Sequence, residues 1–118
     1  MYGVTDRIDL SKFVGTTLEQ ISIGRYQIIF RFDPDCFIDS EGRWLLLGPD
    51  GSVVDQSEEP AERDAYRVHV CLGQRVAAAT PEPPDAISIA FETGHVLRFV
   101  DDSDEYESFN IQPGCVIV

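Results

Sequence analysis

A strict two-residue alternation confines most of this chain to β-structure. Between Ala86 and Ile111 the sequence reads AISIAFETGHVLRFVDDSDEYESFNI. Ile87, Ile89 and Phe91 alternate with Ser88 and Ala90, Glu92-Thr93-Gly94-His95 supplies a turn, and Val96, Leu97 and Phe99 return the chain. Successive side chains of a strand point to opposite faces, so this hairpin has an apolar face that has to be covered.

The same spacing recurs upstream. Leu18, Ile21 and Ile23 lead to a bend at Gly24-Arg25, and Ile28, Phe30 and Phe32 alternate with Ile29 and Arg31. Asp33-Pro34-Asp35 interrupts that strand, because proline has no amide hydrogen to give a ladder. Phe37-Ile38 restarts it, and Ser40-Glu41-Gly42 turns into Arg43-Trp44-Leu45-Leu46-Leu47, with Trp44, the only tryptophan, expected in the core. Gly48-Pro49-Asp50-Gly51 is a strong turn before a brief Val53-Val54. Val76 to Thr80 reads as a strand, Pro81-Glu82-Pro83-Pro84-Asp85 as a stiff extended loop, and Gln112-Pro113-Gly114 as a turn. The closing Cys115-Val116-Ile117-Val118 is expected to pair with a sheet edge.

Helical signals are confined to two places. Asp9 stands as an N-cap before Leu10, Phe13 and Val14, which suits one short turn ending at Gly15. Residues Ala61 to Leu72 read both ways: Ala61, Ala65, Val68 and Leu72 mark a helical face, Tyr66, Val68, Val70 and Leu72 a strand. Pro60 and the acids before it favour helix or helical turns, ending at Gly73.

Set side by side, the two halves echo each other. Phe13-Val14-Gly15-Thr16-Thr17-Leu18 resembles Cys71-Leu72-Gly73-Gln74-Arg75-Val76, Ile28, Phe30 and Phe32 answer to Ile87, Ile89 and Phe91, and Trp44 answers to Phe109 after an acidic step. The reading is one domain over residues 1–118, with half-repeats 9–54 and 61–118 joined by an acidic connector at 55–60. Fold class follows: mainly β, two packed antiparallel sheets or a partly open barrel of roughly six to eight strands, with one or two short helices.

At 118 residues a globule buries roughly 65% of the surface its unfolded chain exposes, enough for a core without staples. Twenty-one acids oppose nine bases, a net charge of −12. Such a surface repels phosphate backbones and anionic membranes, so nucleic acid and membrane are excluded as partners and a basic protein is favoured. Cys36, Cys71 and Cys115 are too widely spaced for a zinc site or a disulfide framework, and read as buried thiols in a reducing compartment. With no apolar leader and no run of 18 apolar residues, a cytoplasmic location is expected.

Catalytic motifs are missing from the sequence. There is no G-x-S-x-G, no H-E-x-x-H and no phosphate loop, and His69 and His95 have no companion ligands, so no catalytic residue, metal or cofactor is expected. The run Asp101 to Glu107 lacks the glycine and distal glutamate of a calcium loop. Asp101, Asp102, Asp104, Glu105, Glu58 and Glu59 are therefore read as a partner-binding surface. Tyr106, Glu107, Ser108, Phe109 and Trp44 are read as structural, with Glu107 braced by Arg98 or Arg43.

The stretch Leu97-Arg98-Phe99 to Asp104-Glu105-Tyr106-Glu107-Ser108-Phe109-Asn110-Ile111 resembles the ending of small uncharacterised bacterial proteins that close on a Tyr-Glu-Ser-aromatic-x-aliphatic motif, some encoded near toxin genes. That resemblance implies an immunity-like, non-catalytic binder. The alternative is a small-ligand protein or minor enzyme using Tyr26, Trp44, Tyr106 and Glu107 in a cleft between the halves. A homodimer paired through Val116 to Val118 is compatible with either.

Overall fold

Two antiparallel sheets pack face to face in a computed structural model of the chain, which describes residues 9–25, 27–34, 36–57, 66–101, 109–112 and 116–117, the last two segments by backbone only. The first sheet holds β1 (Thr17–Ile23), β2 (Ile28–Asp33), β3 (Cys36–Ser40), β9 (Phe109–Gln112) and β10 (Val116–Ile117), in the order β1-β2-β3-β9-β10. The second holds β4 (Arg43–Leu47), β5 (Val53–Gln56), β6 (Val76–Glu82), β7 (Ala86–Phe91) and β8 (Val96–Val100), in the order β5-β4-β8-β7-β6. The expected mainly β, two-sheet architecture is present. Among the described residues it has ten strands rather than six to eight, is not closed into a barrel, and its helical content is two 3-10 turns, Ser11–Phe13 and Val68–Cys71.

Adding five to each strand number of the first sheet reproduces the order of the second, provided the last hairpin is exchanged: β4-β5 completes the second sheet and β9-β10 completes the first. The expected turn at Ser40-Glu41-Gly42 is therefore a crossover. β3 pairs with β2 and β9, whereas β4 pairs with β5 and β8, so the chain changes sheets within two residues. Local spacing cannot distinguish this from a hairpin, because turn chemistry is the same in both.

The two sheets meet along one edge. Thr17 bridges Arg75, and around that bridge the backbone bonds are reciprocal: Gly15 N–H donates to Val76 O and Gly73 N–H to Leu18 O, while Val76 N–H donates to Thr16 O and Leu18 N–H to Gln74 O. Gly15 and Gly73 reach their carbonyls at φ of +87° and +82°, a conformation that costs an L side chain strain. Each edge strand then bulges at the same place, between Leu18 and Gln20 in β1 and between Val76 and Ala78 in β6. Bulges twist an edge away from further pairing.

Alternation decides the core. Leu18, Phe30, Phe32 and Ile38 of the first sheet face Leu46, Ile87, Ile89, Leu97 and Phe99 of the second, all fully buried. Trp44 is in the core as expected, with Phe30 edge-on between it and Phe99 at centroid distances of 6.1 and 5.3 Å. Burying side chains of this size contributes about 1.5–3 kcal/mol each. The 3-10 turns close this space, one inserting Leu10 and Phe13, the other Val68 and Cys71.

The stretch Pro81 to Asp85 departs from expectation. Pro81 and Glu82 continue β6, opposite Ile87 and Ala86, and only Pro83-Pro84-Asp85 turns. The first proline is tolerated because β6 is an edge strand, whose outward amides need no partner.

Candidate functional site

The acids proposed as a partner surface do not form one group. Asp101 is only 4% exposed, and its N–H donates to Asp85 O at 2.6 Å, so it is an interior residue and not a surface contact. Asp102, Asp104, Glu105, Glu58 and Glu59 lie outside the described residues, as do Tyr26, Tyr106, Glu107 and Ser108. Phe109 opens β9 opposite Ser40. Trp44 is 3% exposed and packed on Phe30, so it lines no open cleft. The proposed brace of Glu107 by Arg98 or Arg43 also falls outside the described residues. Arg98 Nε stands 3.5 Å from Glu82 Oε1, which accepts a hydrogen bond from Ser88 Oγ as well.

Asp55, assigned from sequence to an acidic connector, is instead fully buried in β5. Its Oδ2 accepts N–H bonds from Arg67 at 2.7 Å and Val68 at 2.9 Å, and its Oδ1 accepts from Gln56 at 2.9 Å. A buried carboxylate is tolerable only when so supplied with donors, and here it caps the second 3-10 turn from another strand. The Arg67 guanidinium, half exposed at 3.9 Å, adds little, and its Nε binds Val54 O at 2.7 Å.

Exposed carboxylates gather on connections. The β4-β5 turn carries Asp50, whose Oδ1 accepts from Ser52 Oγ at 2.6 Å and Ser52 N–H at 3.0 Å. Those two bonds, side chain first, hold its carboxyl below the usual range, so it is ionised throughout neutral conditions. The β7-β8 turn beside it carries exposed Glu92. The two turns touch: a methyl group on Gly94 would come within 3.1 Å of Pro49 Cβ.

A polar chain ties the same end to the start of β6. Thr93 Oγ1 donates to Gln74 Oε1 at 2.5 Å, and Gln74 Nε2 donates to Val70 O at 2.9 Å. With the Thr93 hydrogen so committed, His95 Nδ1, 2.9 Å from Thr93 Oγ1, is the donor of that contact. Val70, Leu72 and Val14, each more than 40% exposed, lie in or just after the 3-10 turns.

This geometry presents fixed anions and a few apolar side chains. Among the described residues no three His, Cys, Asp or Glu side chains stand close enough to hold a metal ion. Burial pushes the Cys71 thiol up to about 12, far from the range of a nucleophilic thiolate. Compared with known protein families, with curated proteins and with solved structures, the chain matches none. Among the described residues, no helix is long and apolar enough to cross a membrane.

Two functional details escaped the sequence. Asp55 had no signal in the spacing, because alternation would set it on the exposed face with Val53, and the bulge opposite Leu46 and Leu47 turns it inward instead. The meeting of the Asp50 and Glu92 turns had none, because it follows from β4 joining β8 across the halves.

Proposed function

We propose that this chain is a non-catalytic interaction module that captures a basic protein through the exposed carboxylates of its connections, in the manner of an immunity-like binder. The observation that carries the reading is a net charge of −12 in which, among the described residues, the exposed acids Asp9, Asp33, Glu41, Asp50, Asp85 and Glu92 stand on strand ends and connections, with Glu19 alone inside a strand. Rigid sheets hold such connections in place, and opposite charge accelerates encounter and fixes orientation more than it adds raw affinity.

The test is binding to a basic protein partner at graded ionic strength. Association is expected to slow as salt rises, and Asp50→Asn with Glu92→Gln should reduce the on-rate while leaving thermal unfolding in place. Binding indifferent to salt and to both substitutions would defeat the proposal.

A further inference from the structure

We infer that the free edge of β1 pairs antiparallel with β1 of a second copy, joining the two first sheets into one. Gly24 N–H donates to Gln27 O at 2.8 Å, which closes the β1-β2 hairpin, and from Gln20 to Ile23 the register with β2 is regular. Hydrogen-bonded pairs alternate with non-hydrogen-bonded pairs in such a ladder. Counting from the hairpin, Ser22 and Gln20 direct their backbone groups to β2, and Ile21 and Ile23 turn theirs outward. Leu18, beyond the bulge, has the same outward sense, and its N–H and C=O bond Gln74 and Gly73. Two other sheet edges are guarded: Arg67 Nε covers Val54 O on β5, and Pro81 gives β6 no amide hydrogen to offer. Gln20-Ile21-Ser22-Ile23 has neither a proline nor a charge, and Ile23 is 51% exposed.

The pattern of the edge identifies the occupant, because it is symmetric about Ser22. A twofold axis beside Ser22 sets Ile21 opposite Ile23 twice, as hydrogen-bonded pairs, and Ser22 opposite Ser22 as a non-hydrogen-bonded pair. Each isoleucine pair then exchanges two N–H···O=C bonds. Ile21 and Ile23 stand opposite buried Phe30 and Ile28, so the four isoleucines of the two copies meet on the core-facing side and cover what each copy leaves exposed. Beyond the ladder, exposed Glu19 of one copy lies level with exposed Arg25 of the other. Arg25 has contacts within its own chain, and what the register secures is that it meets a carboxylate and not a second arginine. On a chain of −12, two copies meet along this edge without setting like charges against each other.

Sedimentation velocity of the full chain over a concentration series, read with circular dichroism and thermal unfolding, tests the inference. The chain should form a dimer, and Ile23→Lys, a charge on a half-exposed edge position, should weaken it by roughly tenfold or more with the fold retained. Register is tested by cross-linking in a Cys115→Ser background, Cys36 and Cys71 being buried. A non-hydrogen-bonded pair brings its Cα atoms to about 4.5 Å, so Ser22→Cys should form a disulfide-linked dimer under mild oxidation, and Gln20→Cys, off the axis, should not. A chain that stays monomeric, a dimer unmoved by Ile23→Lys, or cross-linking equal at the two positions would each overturn it. None of these outcomes depends on binding of a basic partner.

Discussion

The two 3-10 turns occupy equivalent positions and are held by aspartates in opposite circumstances. Before the first, Asp9 is exposed and reaches two residues ahead: its Oδ1 accepts from Ser11 N–H at 2.9 Å and Ser11 Oγ at 2.6 Å. Before the second, the donors of Arg67 and Val68 turn to Asp55, twelve and thirteen residues earlier and fully buried. The contents differ too, since Phe13 of the first turn packs edge-on to Phe32 at 5.3 Å where the second offers Cys71. One half fills its turn with an aromatic ring and needs only a local cap. The other inserts a smaller group and borrows a carboxylate from the neighbouring strand.

The contrast is open to attack by substitution. Phe13→Ala should be the most damaging change, about 3–5 kcal/mol in denaturant unfolding, because a fully buried ring leaves a cavity. If it cost less than 1 kcal/mol, the two turns would not differ in how they are filled. Asp55→Ala comes next, at about 1–3 kcal/mol for the buried Val68 N–H left unpaired, the Arg67 and Gln56 donors being only part-buried, and the loss should be seen as lowered thermal stability. Asp9→Ala, removing an exposed cap, should move the same measurement least, and parity with Asp55→Ala would erase the distinction.

Glycine offers a control in which the halves should agree. Gly15→Ala and Gly73→Ala each force a side chain into the left-handed region, at a cost of about 1–2 kcal/mol. Gly73 has open space around it and Gly15 lies near the Arg75 guanidinium, so Gly15→Ala should be the equal or slightly worse of the pair.

Near neutral pH the titrating groups contribute least, and their effects appear only at the extremes. The folded state holds the Cys71 proton up to about pH 12, above the ordinary thiol value of 9.0, so stability is complete below pH 9 and falls between 9 and 12 as the unfolded chain ionises first. Native Cys71 should resist alkylation at pH 8 and react once unfolded. Asp9 behaves in the opposite sense. The hydroxyl and then the amide of Ser11 lower its carboxyl below 3.8, so its contribution is present above that value and lost as the pH falls through the folded one. Unfolding midpoints of Asp9→Ala and the parent chain should converge in strong acid.

What could be read in advance follows the range of the interactions. The β1-β2 and β7-β8 hairpins, the turns at Gly24, Gly51 and Gly94 and the interior place of Trp44 all depend on neighbours in sequence, and each is present; Asp9 holds Ser11 as expected of a local acceptor, but Leu10 stands at the N-cap itself. Acidic flanks point Asp55 to a connector and Asp101 to a partner surface, whereas their surroundings are set by strands far along the chain. The exchange of β4-β5 and β9-β10 between sheets left no local mark either. For the candidate surface, charge and exposure of the turns were legible, and the contact between the Asp50 and Glu92 turns was not.

Exchange of the two hairpins has a consequence for synthesis. The central strand β3 lacks one neighbour until residues 109–112 have left the ribosome, since β9 is the partner on that side. Neither sheet can therefore be finished on a nascent N-terminal half, and β3 waits with one flank unpaired through the translation of more than sixty further residues. At about 5–20 residues per second that interval lasts several seconds, during which the growing polypeptide presents a bare pleated margin for a chaperone to shield.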